Sequence, residues 1–192
     1  MKDASLHGAE PPSEWVKRWS HLVKPGGSVL DVACGYGRHA AYFCQNNHPV
    51  TAIDRAREAI DSIAFPVEFC EKIVADIESG PWPVAGRQFD AIVVTNYLWR
   101  PLMPALLAGL APGGVLIYET FAEGNETVGK PSRPDFLLAR GELLHICRDL
   151  VVVAFEDGFI DRTVAAAARF VQRIAAVRVA ATLDAPARHL LV

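Results

Sequence analysis

Asp31, Gly35, Gly37 and Ala40 fall within the run Leu30-Asp31-Val32-Ala33-Cys34-Gly35-Tyr36-Gly37-Arg38-His39-Ala40. Two glycines one residue apart permit unusual backbone angles and let a ligand approach main-chain atoms closely. The segment also satisfies Gly-x-Gly-x-x-Ala, close to the spacing that seats a dinucleotide pyrophosphate, which keeps nicotinamide or flavin binding open. Asp31 points elsewhere: a carboxylate just before the glycines repels a pyrophosphate and attracts a cation. S-adenosylmethionine has no phosphate and carries a sulfonium and an ammonium against one carboxylate, so it suits the site better. Cys34 reads as a small packed hydrophobe rather than a nucleophile. His7, His21, His39, His48, His145 and His189 include no i,i+4 pair and form no zinc signature with cysteine, so no metal is expected.

The elements that must hold these residues follow from the apolar pattern. Ser28–Ala33 is a short apolar run between glycines and reads as a buried strand, with a helix from Gly37 to Gln45 after it. Strands are expected over Val50–Asp54, Val67–Val74, Phe89–Thr95 and Gly114–Thr120, with helices over Arg55–Ile63 and Leu102–Leu110 between them. Apolar strands alternating with helices indicate a parallel sheet covered on both faces. Leu150–Phe155 and Phe170–Val179 break the rhythm and read as an antiparallel hairpin at the sheet edge, although the run Ala165–Ala168 has helical propensity. Before the first strand, Ser13 is placed to cap a helix that puts Trp15, Trp19, Leu22 and Val23 on one face, a pattern of packing.

The chain has 192 residues, of which 51% are hydrophobic and 21% charged, proportions of one folded domain spanning 1–192. Nineteen Lys+Arg against 22 Asp+Glu give a net charge of -3, which creates no wide field for a polyanion and makes nucleic acid an unlikely partner. The uncharged stretch Pro101–Tyr118 is long enough to suggest a membrane span, but Pro104 and Pro112-Gly113-Gly114 divide it into a helix and a strand. Met1–Gly8 shows no export signal, and the four scattered cysteines read as reduced thiols, so a cytoplasmic protein is expected. The sequence leaves the oligomeric state open.

An acid followed by a glycine-rich loop after the first strand resembles the class I S-adenosylmethionine-dependent methyltransferases. Asp54 at the end of the second strand, Asp76-Ile77 after the third, and Leu110-Ala111-Pro112-Gly113-Gly114 before the fifth extend the likeness over residues 24–180. Within the class, Gly35-Tyr36-Gly37-Arg38 with Ala52-Ile53-Asp54 looks most like small tellurite-resistance-type bacterial enzymes. Ala33 departs from the pattern, standing where many members have glycine. The resemblance implies a Rossmann-like, doubly wound, seven-stranded, mostly parallel α/β sheet ending in the antiparallel hairpin. It also implies a cofactor site at Asp31, Ala33, Cys34, Gly35, Gly37, Asp54, Arg55, Asp76, Ile77, Thr95 and Asn96, with Asp54 on the ribose hydroxyls and Asp76-Ile77 at the adenine.

A sulfonium has a neutral leaving group, so transfer needs alignment and exclusion of water rather than a covalent enzyme intermediate. Candidates to meet a small-molecule acceptor are Arg38, His39, Tyr97, Arg100, Lys130 and Arg133, with His39 and Tyr97 the candidate catalytic groups. The loop Ala122–Asp135 is long for a compact domain and follows the fifth strand, a place for a lid. A domain that binds the cofactor without turning it over, serving regulation or as a scaffold, is the alternative, distinguished by whether S-adenosylhomocysteine forms.

Overall fold

The computed structural model describes residues 10–66, 68–161, 167–179 and 188–192. Helix α1 (Glu14–Trp19) is capped by the Ser13 side chain, which accepts from the Trp15 amide at 3.1 Å. The expected longer helix tightens into a 3-10 turn over Ser20–Leu22. Strands β1 (Val29–Val32), β2 (Val50–Asp54), β3 (Cys70–Val74), β4 (Phe89–Thr95), β5 (Leu110–Phe121), β6 (Val151–Ile160) and β7 (Arg169–Val177) form one sheet in the order β3-β2-β1-β4-β5-β7-β6. β1 to β5 pair in parallel, and β7 runs antiparallel to both β5 and β6. The reversal of chain order at β1 creates a switch point, where ligands of open α/β sheets bind outside the strand carboxyl ends.

Helices α2 (Arg38–Gln45), α3 (Arg57–Asp61), α4 (Met103–Ala108) and α5 (Glu142–Ile146) cover the sheet. Period-two alternation along the strands divides the core. Val29, Val93 and Ile117 pack with Trp15, Trp19 and Phe43 on one face, whereas Leu30, Val94 and Leu116 pack with Leu106 and Leu143 on the other. Trp15 and Trp19 meet edge-on, with ring centroids 5.6 Å apart.

Several boundaries differ from those the sequence predicts. Helix α3 is shorter than Arg55–Ile63, because Asp54 accepts from the Ala56 amide at 2.8 Å and holds the chain in a turn before the helix begins. Arg100–Leu102 is a 3-10 turn leading into α4, with Pro104 in the helix's first turn. Strand β5 extends beyond Gly114–Thr120 at both ends. Its pairing with β4 jumps from Phe89↔Leu110 to Ala91↔Val115, so Pro112-Gly113-Gly114 forms an irregularity inside the strand. The hairpin strands run over Val151–Ile160 and Arg169–Val177 rather than Leu150–Phe155 and Phe170–Val179.

Helix α5 is absent from the sequence reading, being only five residues long, too brief for a periodic pattern. Val67, and Ala165 and Ala166 of the alanine run, lie outside the described residues. Among the described residues no helix is long and apolar enough to cross a membrane.

Candidate functional site

The turn after β1 alternates in backbone hand. Ala33, Gly35 and Gly37 have φ of 52, 55 and 76°, and the Cys34 amide donates to the Ile53 carbonyl at 3.0 Å. The two glycines serve different ends. A Cβ on Gly37 would lie 2.7 Å from the Ile63 side chain, whereas a Cβ on Gly35 would meet nothing within 4 Å. Gly37 is therefore required by packing, and Gly35 faces open space where a ligand can reach the backbone. Ala33 accommodates its positive φ with a methyl group, so the departure from glycine leaves the turn in place.

That open space has two parts. A cleft of about 390 Å³ runs along the strand carboxyl ends, between Asp54-Arg55, Asp76-Ile77, Asn96-Tyr97 and Phe121, and is closed by Pro131 and Phe136. A recess of about 220 Å³ lies at the loop itself, bounded by Glu10, Cys34, Gly35, Arg38 and Thr95. Ala33 and Asn96 border both, so the two spaces meet at the ends of β1 and β4. Asn96, with φ of 55°, is fixed by its amide donating to the Glu119 carbonyl at 2.9 Å.

The acids differ sharply in setting. Asp54 stands in the cleft, with one carboxylate oxygen accepting from the Gly35 amide and the other from the Ala56 amide, both at 2.8 Å. Asp31 is 1% exposed and borders neither space. Its carboxylate accepts from the Ala40 amide at 2.9 Å, and burial pushes its pKa up to about 7 against the lowering effect of that bond. Asp76 borders the cleft but caps its own turn, accepting from the Glu78 and Ser79 amides and from the Ser79 hydroxyl, which hold its carboxyl below the usual range. Ile77 and Arg55 line the cleft beside it.

The candidate catalytic groups separate in the same way. His39 is buried behind the loop. The Ser13 amide donates to its Nε2 at 3.1 Å, so Nδ1 carries the proton toward Thr95 Oγ1 at 3.4 Å. Burial, with Arg38 nearby, pushes its pKa down to about 3, and the ring is a neutral structural link rather than a free base. Tyr97 does line the cleft, its backbone carbonyl fixed by the Tyr118 hydroxyl at 2.7 Å. Its own hydroxyl is buried without a well-formed partner, and burial raises its pKa. Cys34 is buried, and desolvation raises its thiol, which suits packing rather than nucleophilic attack.

Of the candidate acceptor cations Arg38, Arg100, Lys130 and Arg133, Arg38 borders the recess. Arg100 is committed to the protein: it pairs with Glu142 at 2.7 and 2.9 Å and donates to the carbonyls of Asp135 and Leu137 at 2.9 and 2.8 Å. Arg133 pairs with Asp135 at 2.7 Å and lies over Phe136, while Pro131 and Phe136 rather than Lys130 and Arg133 face the cleft. The loop after β5 is tied down at several points. Buried Asn125 donates to the Pro131 carbonyl at 2.9 Å and accepts from the Phe170 amide at 3.2 Å, and Ala122 bridges to Leu138. No motif marks Pro131, Phe136 or Glu10 in the sequence, because each reaches the site only through the packing of a distant segment.

Residues 29–114 match the family of the methyltransferase domain. The malonyl-[acyl-carrier protein] O-methyltransferase of Serratia marcescens is 33% identical over 107 residues, covering 53% of this chain and 41% of that protein. The ribosomal protein L11 methyltransferase of Burkholderia lata is 39% identical over 114 residues, covering 56% of this chain and 36% of that protein. The chain thus spans about two fifths of the length of these curated relatives. Among solved structures, TehB from Haemophilus influenzae superposes with a TM-score of 0.69 at 19% identity, over 85% of this chain and 61% of TehB. The glycopeptide N-methyltransferase MtfA complexed with S-adenosylmethionine gives 0.60 at 16% identity, over 93% and 99%. With β1 to β5 parallel, β7 inserted antiparallel, and the cleft at the β1 switch point, the chain has the fold of the class I S-adenosylmethionine-dependent methyltransferases, and its residues 29–114 match the methyltransferase-domain family.

Proposed function

We propose that the chain is an S-adenosylmethionine-dependent methyltransferase acting on a small-molecule acceptor. The observation that carries this reading is the joined cleft and recess around Gly35, where a loop backbone faces open space beside the Asp54 carboxylate. Those residues fit the cofactor. Each oxygen of Asp54 uses one acceptor site on an amide and keeps another for a ribose hydroxyl. Asp76 spends much of its capacity on its own turn, so Ile77 forms the adenine wall while Asp76 sets that wall's position. The buried Tyr97 hydroxyl, close to Glu78, offers a polar contact inside the cleft.

The bound cofactor supplies an electrophilic methyl carbon, which an acceptor lone pair takes as the carbon–sulfur bond breaks and S-adenosylhomocysteine is left. The chain's own part is alignment and exclusion of water. Tyr97, Phe121, Pro131 and Phe136 supply a largely apolar wall for the acceptor, fixed by Arg100 and Asn125 from behind. The cleft also has to seat the cofactor, so the room left beside it suits a small acceptor. The four free cysteines accord with work in the cytoplasm.

Isothermal titration with S-adenosylmethionine and with NAD, followed by S-adenosylhomocysteine formation with fractionated cell extract, tests the proposal. Binding of the first ligand and turnover with the low-molecular-weight fraction are expected. Binding of NAD alone would overturn the cofactor assignment, and turnover confined to the macromolecular fraction would overturn the acceptor class.

A further inference from the structure

The recess beside the loop contains an acid that no sequence motif nominates. Asp31 is sealed behind the turn, so the carboxylate that borders the recess among the described residues is Glu10. Its oxygen lies 3.0 Å from the Arg38 guanidinium, which also points at the Pro11 carbonyl at 3.5 Å. The side chain of Glu10 is 65% exposed and that of Arg38 21%, so the pair is wet and separable at modest cost.

The N-terminal segment is held there by a buried hub. Ser13 donates its amide to His39 Nε2 and its hydroxyl to Glu119 at 2.8 Å, while Glu119 is held by Arg173 at 3.1 Å. His39 is the neighbour of Arg38 on α2, so the same contact that anchors Ser13 sets Glu10 over the recess.

We infer that Glu10 and Arg38 together read the amino-acid end of S-adenosylmethionine, Glu10 taking the ammonium and Arg38 the carboxylate. This rests on the cofactor assignment above. A zwitterion carries both charges on one carbon, and an opposed acid and guanidinium can each exchange its protein partner for one of them. The exchange leaves no charge unpaired, which avoids the large cost of stranding one. The segment Glu10–Ser13 is then part of the cofactor site, and its docking is linked to occupancy.

S-adenosylhomocysteine and 5′-methylthioadenosine both carry a neutral thioether on adenosine, and only the former has the amino-acid end. Titration of each into the wild type, Glu10→Gln and Arg38→Met separates the contributions, with circular dichroism confirming that the substitutions leave the fold intact. Both variants are expected to weaken S-adenosylhomocysteine about tenfold, the scale of one charge-assisted hydrogen bond, and to leave methylthioadenosine unchanged. Unchanged or tighter S-adenosylhomocysteine binding by Glu10→Gln would overturn the inference, since Glu10 would then only occupy Arg38. Equal weakening of both ligands would also overturn it, by placing the effect away from the amino-acid end. A wild type that binds neither ligand would instead defeat the cofactor assignment.

Discussion

The Gly35 amide donates to Asp54 Oδ2 at 2.8 Å, tying the glycine turn after β1 to the carboxyl end of β2. One side chain thus holds the loop in shape and faces the cleft. Asp54→Ala removes both roles: it strips the partner from the Gly35 and Ala56 amides and the acceptor proposed for the ribose. Cofactor affinity is expected to fall by roughly 1–3 kcal/mol, the range for charge-assisted hydrogen bonds. Titration calorimetry reads the loss, and an effect confined to the acceptor's KM would contradict the assignment.

The two glycines predict opposite phenotypes. Gly35→Val adds a branched side chain in the open space, at φ of 55°, and should abolish cofactor binding while the protein still folds. Gly37→Val drives its side chain into Ile63, where a Cβ alone would already lie at 2.7 Å, and should cost stability by about 1–3 kcal/mol or more. Urea denaturation beside ligand titration distinguishes them. Equal destabilisation by both would mean that Gly35 is required by its left-handed backbone rather than kept bare for a ligand.

Asp31 gives a pH signature. Its folded-state pKa, raised by burial to about 7, lies above the ordinary 3.8, so the folded protein binds the extra proton between those values. Stability conferred by this group is therefore greatest at the acid end of the window and declines as pH rises toward 7, by at most about 1.4 kcal/mol per pH unit. Asp31→Asn keeps an acceptor for the Ala40 amide and removes the titration. The variant should show a flatter stability profile from pH 4 to 7 in urea titrations; parallel profiles would show that Asp31 does not take up a proton there.

Local pattern carries most of the parallel core of the fold, because β1, β2, β4 and β5 each bury an apolar run that can be read without knowing its neighbours, whereas β3 is charged at Glu71 and Lys72 and fully buried only at Cys70. The glycine turn was equally legible, since its residue types follow from backbone angles. The direction of side chains was not. Asp31 and His39 stand in the right sequence positions yet are turned into the protein, toward Ala40, Ser13 and Thr95, by contacts that join segments remote in the chain. Arg100 looked like a cation awaiting a ligand, and only the fold brings Glu142 of the unforeseen helix α5 against it.

The loop after β5 was expected to behave as a lid, mobile when empty, and its anchors now confine where movement can occur. Asn125 gathers the Val128 and Gly129 amides on its carbonyl and joins Pro131 to β7 through its side chain, while Arg100 holds the Asp135 and Leu137 carbonyls. Amides at Val128 and Gly129 should therefore show hydrogen-exchange protection in the ligand-free protein. Arg100→Ala strips the carbonyls of Asp135 and Leu137 and leaves Glu142 without its cation, so faster exchange over Pro134–Leu138 is expected, with a stability loss of about 1–3 kcal/mol. Asn125→Ala should loosen the opposite end, freeing the Pro131 carbonyl and speeding exchange of the Phe170 amide, and leave the Arg100 anchor and the backbone bonds of Val128 and Gly129 in place. Because Pro131 and Phe136 wall the cleft, both variants should impair turnover more than cofactor affinity, which the proposed site assigns to Gly35 and Asp54 at the other side. Rapid exchange throughout the loop in the wild type, suppressed only when cofactor and acceptor are both bound, would restore the lid and refute the anchored wall.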